Sequence, residues 1–323
     1  MQIVSTTSRG SVWRQVITAL ALVITTAGNF SQATAQSTNG AVELDGRVYV
    51  LRGDLGIFFS TGMDYLAATL NQRGLTAGVY NWWDWGALAN DAIARYAAAP
   101  ERTRILLVGH SRGGDGAIAM AWRLHSARVP VALVVAFDST RSVDRVPPNV
   151  ERFINLYQST NAVGGGAARL SPDFRGDYVS VNLAERREMN HVNIDKMLVL
   201  HQAIIPKFVE ALSPESPLGL AGIPSIPIEY RVPAGVPIEV WDSGMQVRAE
   251  PGDTASSVAH QFSVPTWVIA QLNQLAGDEP VELGRSLLVP RMVFTPPNPA
   301  GPLRAEPAVG RDRAHQAQTA GQP

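Results

Sequence analysis

Gly109-His110-Ser111-Arg112-Gly113-Gly114-Asp115-Gly116-Ala117 follows the apolar run Ile105 to Val108 and opens a helical pattern that continues to Ser126. A G-x-S-x-G sequence between a strand and a helix describes a tight elbow, where glycines at 109 and 113 leave room for a backbone that lifts the Ser111 hydroxyl out of the turn. The following helix directs its unpaired N–H groups back at that hydroxyl, so Ser111 is a candidate nucleophile.

A serine nucleophile needs a base, and the chain has six histidines. His110 lies inside the elbow, His125 late in the helix after it, and His260 and His315 in other regions. His201 sits within the amphipathic pattern Ile194, Leu198, Ile205, Val209 and reads as a core-edge or surface residue. His191, in the loop-like EMNHVN after the strand-like Tyr178 to Leu183, is the candidate base. The acid is expected at the end of a strand between the two. Val131 to Phe137 (VALVVAF) has the continuous apolar character of a strand covered on both faces and runs into Asp138; Asp144, Asp173 and Asp177 are weaker choices in polar or Gly/Pro-containing loops.

Outward from this centre, strand and helix patterns alternate: strands at 48–51, 76–80, 104–108 and 131–137, helices at 63–73, 88–98 and 114–126. Alternation of this kind implies an α/β fold with a doubly wound, mostly parallel sheet. Residues 41–212 resemble the α/β-hydrolases, and the position of Asp138, one strand after Ser111, is most similar to the thioesterase and lipase-like branch. The resemblance implies a Ser111, Asp138, His191 triad. It also implies an oxyanion hole from the N–H of Arg112 together with Asp54 or Leu55 in the loop after the first strand, where Arg52, Asp54 and Arg112 can also pair among themselves. That branch inserts a helical lid after the acid. Here about fifty residues separate Asp138 from His191, room for strands and loops, so an open site is expected. Asn81-Trp82-Trp83-Asp84-Trp85 falls at the carboxyl edge of the sheet, as a plug or a wall of the site, and Gly164-Gly165-Gly166 reads as a flexible loop.

Residues 213–240 are rich in proline and glycine and read as a linker. Beyond it, VRAEPGDTASSVAHQF through LGRSLLVP, within residues 245–291, resembles a LysM module, a small α+β unit with strand, turn, two helices and strand. The resemblance implies binding of N-acetylglucosamine-containing glycans such as peptidoglycan between Gly252, Asp253, Thr254, Ala255 and Leu272, Asn273, Gln274, Leu275. Val247 and Ala255 depart from the usual tyrosine and leucine. Residues 292–323 read as a disordered tail.

Residues 1–35, with Arg9 and Arg14 ahead of apolar Val16 to Ala27 and small residues Ala33-Thr34-Ala35, resemble a secretory signal peptide, which places the mature protein in a periplasm or outside the cell with no lasting membrane span. The net charge of −1 becomes −3 without the two leader arginines, and nothing in it points to nucleic acid. The absence of cysteine excludes a thiol nucleophile, and no metal or organic cofactor is implied. The expected function is ester or thioester hydrolysis through an acyl-enzyme at the cell wall. A silent glycan-binding scaffold and an acyltransferase with the same triad are the alternatives.

Overall fold

The computed structural model describes residues 44–54, 56–140, 145–212 and 223–293. The signal-peptide expectation for residues 1–35, Leu55 and Asp144 lie outside them, as does all but Met292 and Val293 of the expected tail.

Strands β1 (Asp45–Arg52), β2 (Thr76–Asn81), β3 (Thr103–His110), β4 (Leu133–Phe137), β5 (Arg152–Tyr157), β6 (Asp177–Asn182) and β7 (Ile228–Arg231) form one seven-stranded sheet, ordered β2-β1-β3-β4-β5-β6-β7. All six pairings are parallel. Parallel strands need crossovers that cover the faces, and their side chains alternate between two cores. Val48, Val50, Leu106 and Val108 face one core with helices α2 (Thr61–Gln72) and α5 (Leu198–Glu210). Tyr49, Leu51, Ile105 and Leu107 face the other with α3 (Trp85–Ala98) and α4 (Arg112–Ser126). A four-residue helix, α1 (Gly56–Phe59), lies between β1 and α2.

The expected linker at 213–240 is corrected over its described part. Ile228–Arg231 pairs with β6 as the last strand of the sheet, and Tyr230, Val232, Val240 and Trp241 are core residues. Flanking prolines at 227 and 233 hide so short a strand from periodicity. The sheet therefore reaches beyond the expected boundary at residue 212.

The carboxyl-terminal unit comprises β8 (Ser243–Arg248), α6 (Ala255–Gln261), α7 (Thr266–Asn273) and β9 (Ser286–Arg291), the two strands antiparallel. It has a small core of its own around Val258, Ile269, Leu287 and Val289. It is also docked on the sheet. Val268 belongs to the main core; Trp241 packs against Tyr230 and Trp267 at ring-centre distances of 4.9 and 6.1 Å; the Gln271 amide bonds to both backbone groups of Arg231. Two buried polar clusters complete the joint. Asp242 receives Lys207 Nζ at 3.1 Å and Arg152 Nη1 at 3.3 Å, and Arg152 also meets Glu210 at 3.2 Å. Asp177 Oδ1 accepts from Ser225, Ser243 and Arg291 at 2.8, 2.6 and 2.9 Å. Burial raises the Asp177 carboxyl, but these three donors outweigh it and hold the group below its ordinary range. Val293, at the start of the expected tail, is buried with its N–H on Asp242.

Candidate active site

The elbow forms as its glycines require. Ser111 has φ 56° and ψ −125°, a conformation costly to any residue with a side chain. A Cβ on Gly109 would strike the backbone of Gly113 and Gly114, and one on Gly113 would strike the carbonyl of Leu51 in the neighbouring strand. The chain can therefore turn from β3 into α4 this tightly only with glycine at both positions.

His191 Nε2 lies 2.9 Å from Ser111 Oγ, and its Nδ1 lies 2.7 Å from Asp138 Oδ2. Facing an ionised carboxylate, Nδ1 must carry the proton, which leaves Nε2 to accept from the serine hydroxyl. Asp138 ends β4, the sheet neighbour of β3, and is completely buried. Its carboxylate also accepts from the Gln158 N–H and the Asn161 amide. Its φ of 46° is in the left-handed region, which aspartate tolerates better than most residues. The structure thus brings together Ser111, Asp138 and His191, residues far apart in sequence, in one hydrogen-bonded line. Asp177 lies instead in the joint with the carboxyl-terminal unit.

On the oxyanion side, Arg112 is the first residue of α4, so its N–H has no partner within the helix. The loop after β1 comes close: a Cβ on Gly53 would lie 3.0 Å from Ser111 Cβ. The Gly53 N–H is taken by Ser60 Oγ at 3.1 Å, which leaves Asp54 as the described candidate for the second donor. The Asp54 and Arg112 side chains pair with each other at 3.2 Å on the surface. The Arg112 guanidinium lies 4.8 Å from the ring centre of Trp82. Trp82 is half-buried there, Trp83 is exposed and Trp85 packs on the core, so the tryptophan cluster both plugs the edge and lines it. Gly164, expected in a flexible loop, lies against the Asp138 carboxylate, and the Gly165 N–H bonds to Ser139 at 2.6 Å.

Three buried residues stand behind the triad: His201, read from the sequence as a core-edge or surface residue, is completely buried, and His110 and Asp195 had no role assigned. His110 is joined to Ser60 and to the His191 backbone, and burial pulls its pKa down to about 4. His201 donates to the Asp195 carbonyl at 2.6 Å. Asp195 accepts the Gly62 N–H at 3.0 Å on one oxygen, while its other oxygen has no hydrogen-bond partner among the described residues. Burial pushes this carboxyl up to about 7. The unfolded chain ionises it near ~4, so between these values the folded state holds the extra proton and loses stability as the pH rises. His110, depressed, acts oppositely: its contribution is lost as the pH falls from ~6.5 toward 4. The Asp195 carboxyl alone contributes a loss on the order of 2 kcal/mol between pH 5 and 8, so the stability profile of Asp195→Asn is expected to diverge from that of the unsubstituted protein by about that amount across this range, whatever the buried histidines add to both. Denaturant midpoints at the two pH values measure it; parallel profiles for the two proteins would refute the assignment.

In the carboxyl-terminal unit, the two loops expected to hold glycan lie beside one another. Asp278, which the sequence did not single out, bridges from the second loop to the Ser256 N–H at 2.8 Å. Gly252 and Gln274 are exposed, both with positive φ. Thr254 caps α6 with its side chain on the Ser257 N–H, and Asp253 receives Glu250 N–H and Ser257 Oγ. Leu272 and Leu275 are half-buried. Ala255 and Asn273 stand in these loops with their side chains turned inward: Ala255 is in the core, and the Asn273 amide is spent on both backbone groups of Leu288 and on the Ile269 carbonyl. Among the described residues, no group of His, Asp and Glu is placed to hold a metal ion, and no helix is long and apolar enough to cross a membrane.

The family description LysM domain matches residues 247–290, so this unit is a LysM domain, of the class that binds N-acetylglucosamine-containing glycans. No curated protein matches the chain.

Proposed function

We propose that the protein is a serine esterase working outside the cytoplasm, held to peptidoglycan or a related glycan by its LysM domain. The observation that carries the catalytic part is the line from Asp138 through His191 to Ser111, at 2.7 and 2.9 Å. In this reading Ser111 Oγ attacks the ester carbonyl while His191 Nε2 takes its proton. The oxyanion is met by the Arg112 N–H and the N–H of Asp54 or Leu55, and Asp138 stabilises the charged imidazole. His191 then returns the proton to the departing alcohol, and water repeats the sequence to release the acid. Thioesters of carrier proteins are scarce outside the cytoplasm, which favours oxygen esters.

The surroundings favour an apolar acyl group. Six of the eight exposed large apolar side chains among the described residues, Phe58, Phe59, Trp83, Val163, Val192 and Leu198, follow β1, β2, β5 and β6 at the carboxyl edge where the triad lies. Apolar side chains left exposed along one edge of the sheet, on either side of the strands that carry Ser111 and Asp138, suit a ligand with apolar groups. No described residue between Asp138 and His191 is helical, so nothing described there covers the rim as a lid.

The purified protein is expected to react with a fluorophosphonate at Ser111 and to cleave p-nitrophenyl octanoate with a higher kcat/KM than the acetate. It is expected to be retained on insoluble peptidoglycan and released by soluble N-acetylglucosamine oligomers. Glycan retention without labelling or turnover leaves the scaffold reading. Acyl transfer in preference to hydrolysis when a sugar acceptor is added leaves the transferase reading.

A further inference from the structure

Across the back of the triad, a chain of hydrogen bonds joins the oxyanion side to the base. The Gly53 N–H donates to Ser60 Oγ at 3.1 Å; Ser60 Oγ lies 2.9 Å from His110 Nδ1; His110 Nε2 lies 2.7 Å from the backbone carbonyl of His191. The direction of every bond is fixed. A carbonyl only accepts, so Nε2 must carry a proton; a neutral ring then accepts at Nδ1, and Ser60 must donate there while accepting from Gly53. His110 and Ser60 are both buried, and the rings of His110 and His191 stand 5.3 Å apart at 41°.

His191 itself sits in a loop. Gln158 holds that loop at the Met189 carbonyl, two residues before His191, and His110 holds the His191 carbonyl directly. A base displaced by a fraction of an ångström no longer aligns with both its acid and its nucleophile. The residue beside the nucleophile in the elbow therefore reaches the base by its side chain and the oxyanion loop through Ser60. Burial keeps the His110 ring neutral, which preserves the bond directions and places no positive charge beside the imidazolium that forms on His191.

Resting on the esterase reading above, we propose that His110 is a positioning residue: with Ser60 it sets His191 and the Gly53 loop in register, so that base and oxyanion donors are aligned together.

The test compares His110→Phe, His110→Gln and Ser60→Ala in the full chain. Phenylalanine fills the space without the donor, whereas the glutamine amide can still donate to the His191 carbonyl. With a p-nitrophenyl ester, His110→Phe is expected to lower kcat by about tenfold or more with KM within about twofold. His110→Gln is expected to recover most of the loss, and Ser60→Ala to add little in the His110→Phe background, since one chain is already broken. A second readout needs no turnover: the downfield proton of His191 Nδ1, held by Asp138, is expected in the proton NMR spectrum of the unsubstituted protein and of His110→Gln, and to broaden in His110→Phe. If His110→Phe keeps both this proton and kcat, or if His110→Gln tracks melting temperature and not the restored donor, the proposal is overturned. If the unsubstituted protein shows the proton and its loss in His110→Phe but no labelling at Ser111, the positioning stands and the esterase reading falls.

Discussion

Ser111→Ala is expected to lower ester turnover by about 10⁴-fold or more and to abolish fluorophosphonate labelling, with no loss of fold. Removing a triad nucleophile leaves only binding and oxyanion stabilisation, a small remainder of the whole acceleration. The companion substitution Ser111→Gly is expected to be just as inactive and yet to melt higher. Ser111 holds φ 56° and ψ −125°, where a residue with a Cβ stores about 1–3 kcal/mol, and its hydroxyl caps nothing in α4. Glycine relieves the strain at the cost of the single bond to His191, worth about 1 kcal/mol. A modest net gain remains, visible as a rise of a few degrees in thermal melting for a chain of this size. Alanine keeps the Cβ and should show none of it. A glycine variant that melts lower than the alanine variant would count against a strained nucleophile.

The second large effect is structural. A chain ended at Leu212, the boundary expected for the catalytic domain, should not give a folded esterase. It lacks Ile228, Tyr230, Val232, Ile238, Val240, Trp241 and Val268, all members of the main core. At about 1.5–3 kcal/mol for each buried side chain, their removal exceeds ~10 kcal/mol, the scale of the total stability of an ordinary domain. It bares β6 as a new edge carrying buried Val179 and Val181. It also removes Asp242, leaving buried Arg152 and Lys207 to face Glu210 without their second carboxylate. The expected outcome is aggregation or a non-cooperative melt of the shortened chain, against one cooperative transition for the full chain. A soluble, cooperatively melting 1–212 chain labelled at the full rate would refute this account of the joint.

The two kinds of core residue explain why the sheet was readable and the joint was not. β1, β3 and β4 are continuous apolar runs between helical patterns, and burial on both faces leaves that mark in any order of neighbours. β7 is four residues between prolines, recognisable only once β6 offers an edge. Trp241 and Trp267 carry no local signal of meeting each other. The same division holds at the site. Ser111, Asp138 and His191 were legible because each ends or follows a strand in a fixed order. Asn161, Gln158, Ser60 and Gly164 serve the triad from polar or glycine-rich loops, through contacts spanning tens of residues, and their types occur in any loop. His110 shows only its place inside the elbow in the sequence; the fold is needed to show that its ring reaches the backbone of the base.

The docking of the LysM domain on β6 and β7 removes the slack a flexible tether would supply. With a linker, a captured enzyme samples a volume set by linker length, and any ester within it is reached in time. With the proposed tether, a packed joint replaces that volume with a single pose: the saccharides that seat the domain would also dictate which way the edge carrying Ser111 faces. Under the proposed function, the enzyme reads the wall as a surface with orientation. Esters presented on the facing side are within reach, equally dense esters turned away are not, and progress along the wall depends on letting go of the glycan and seating again.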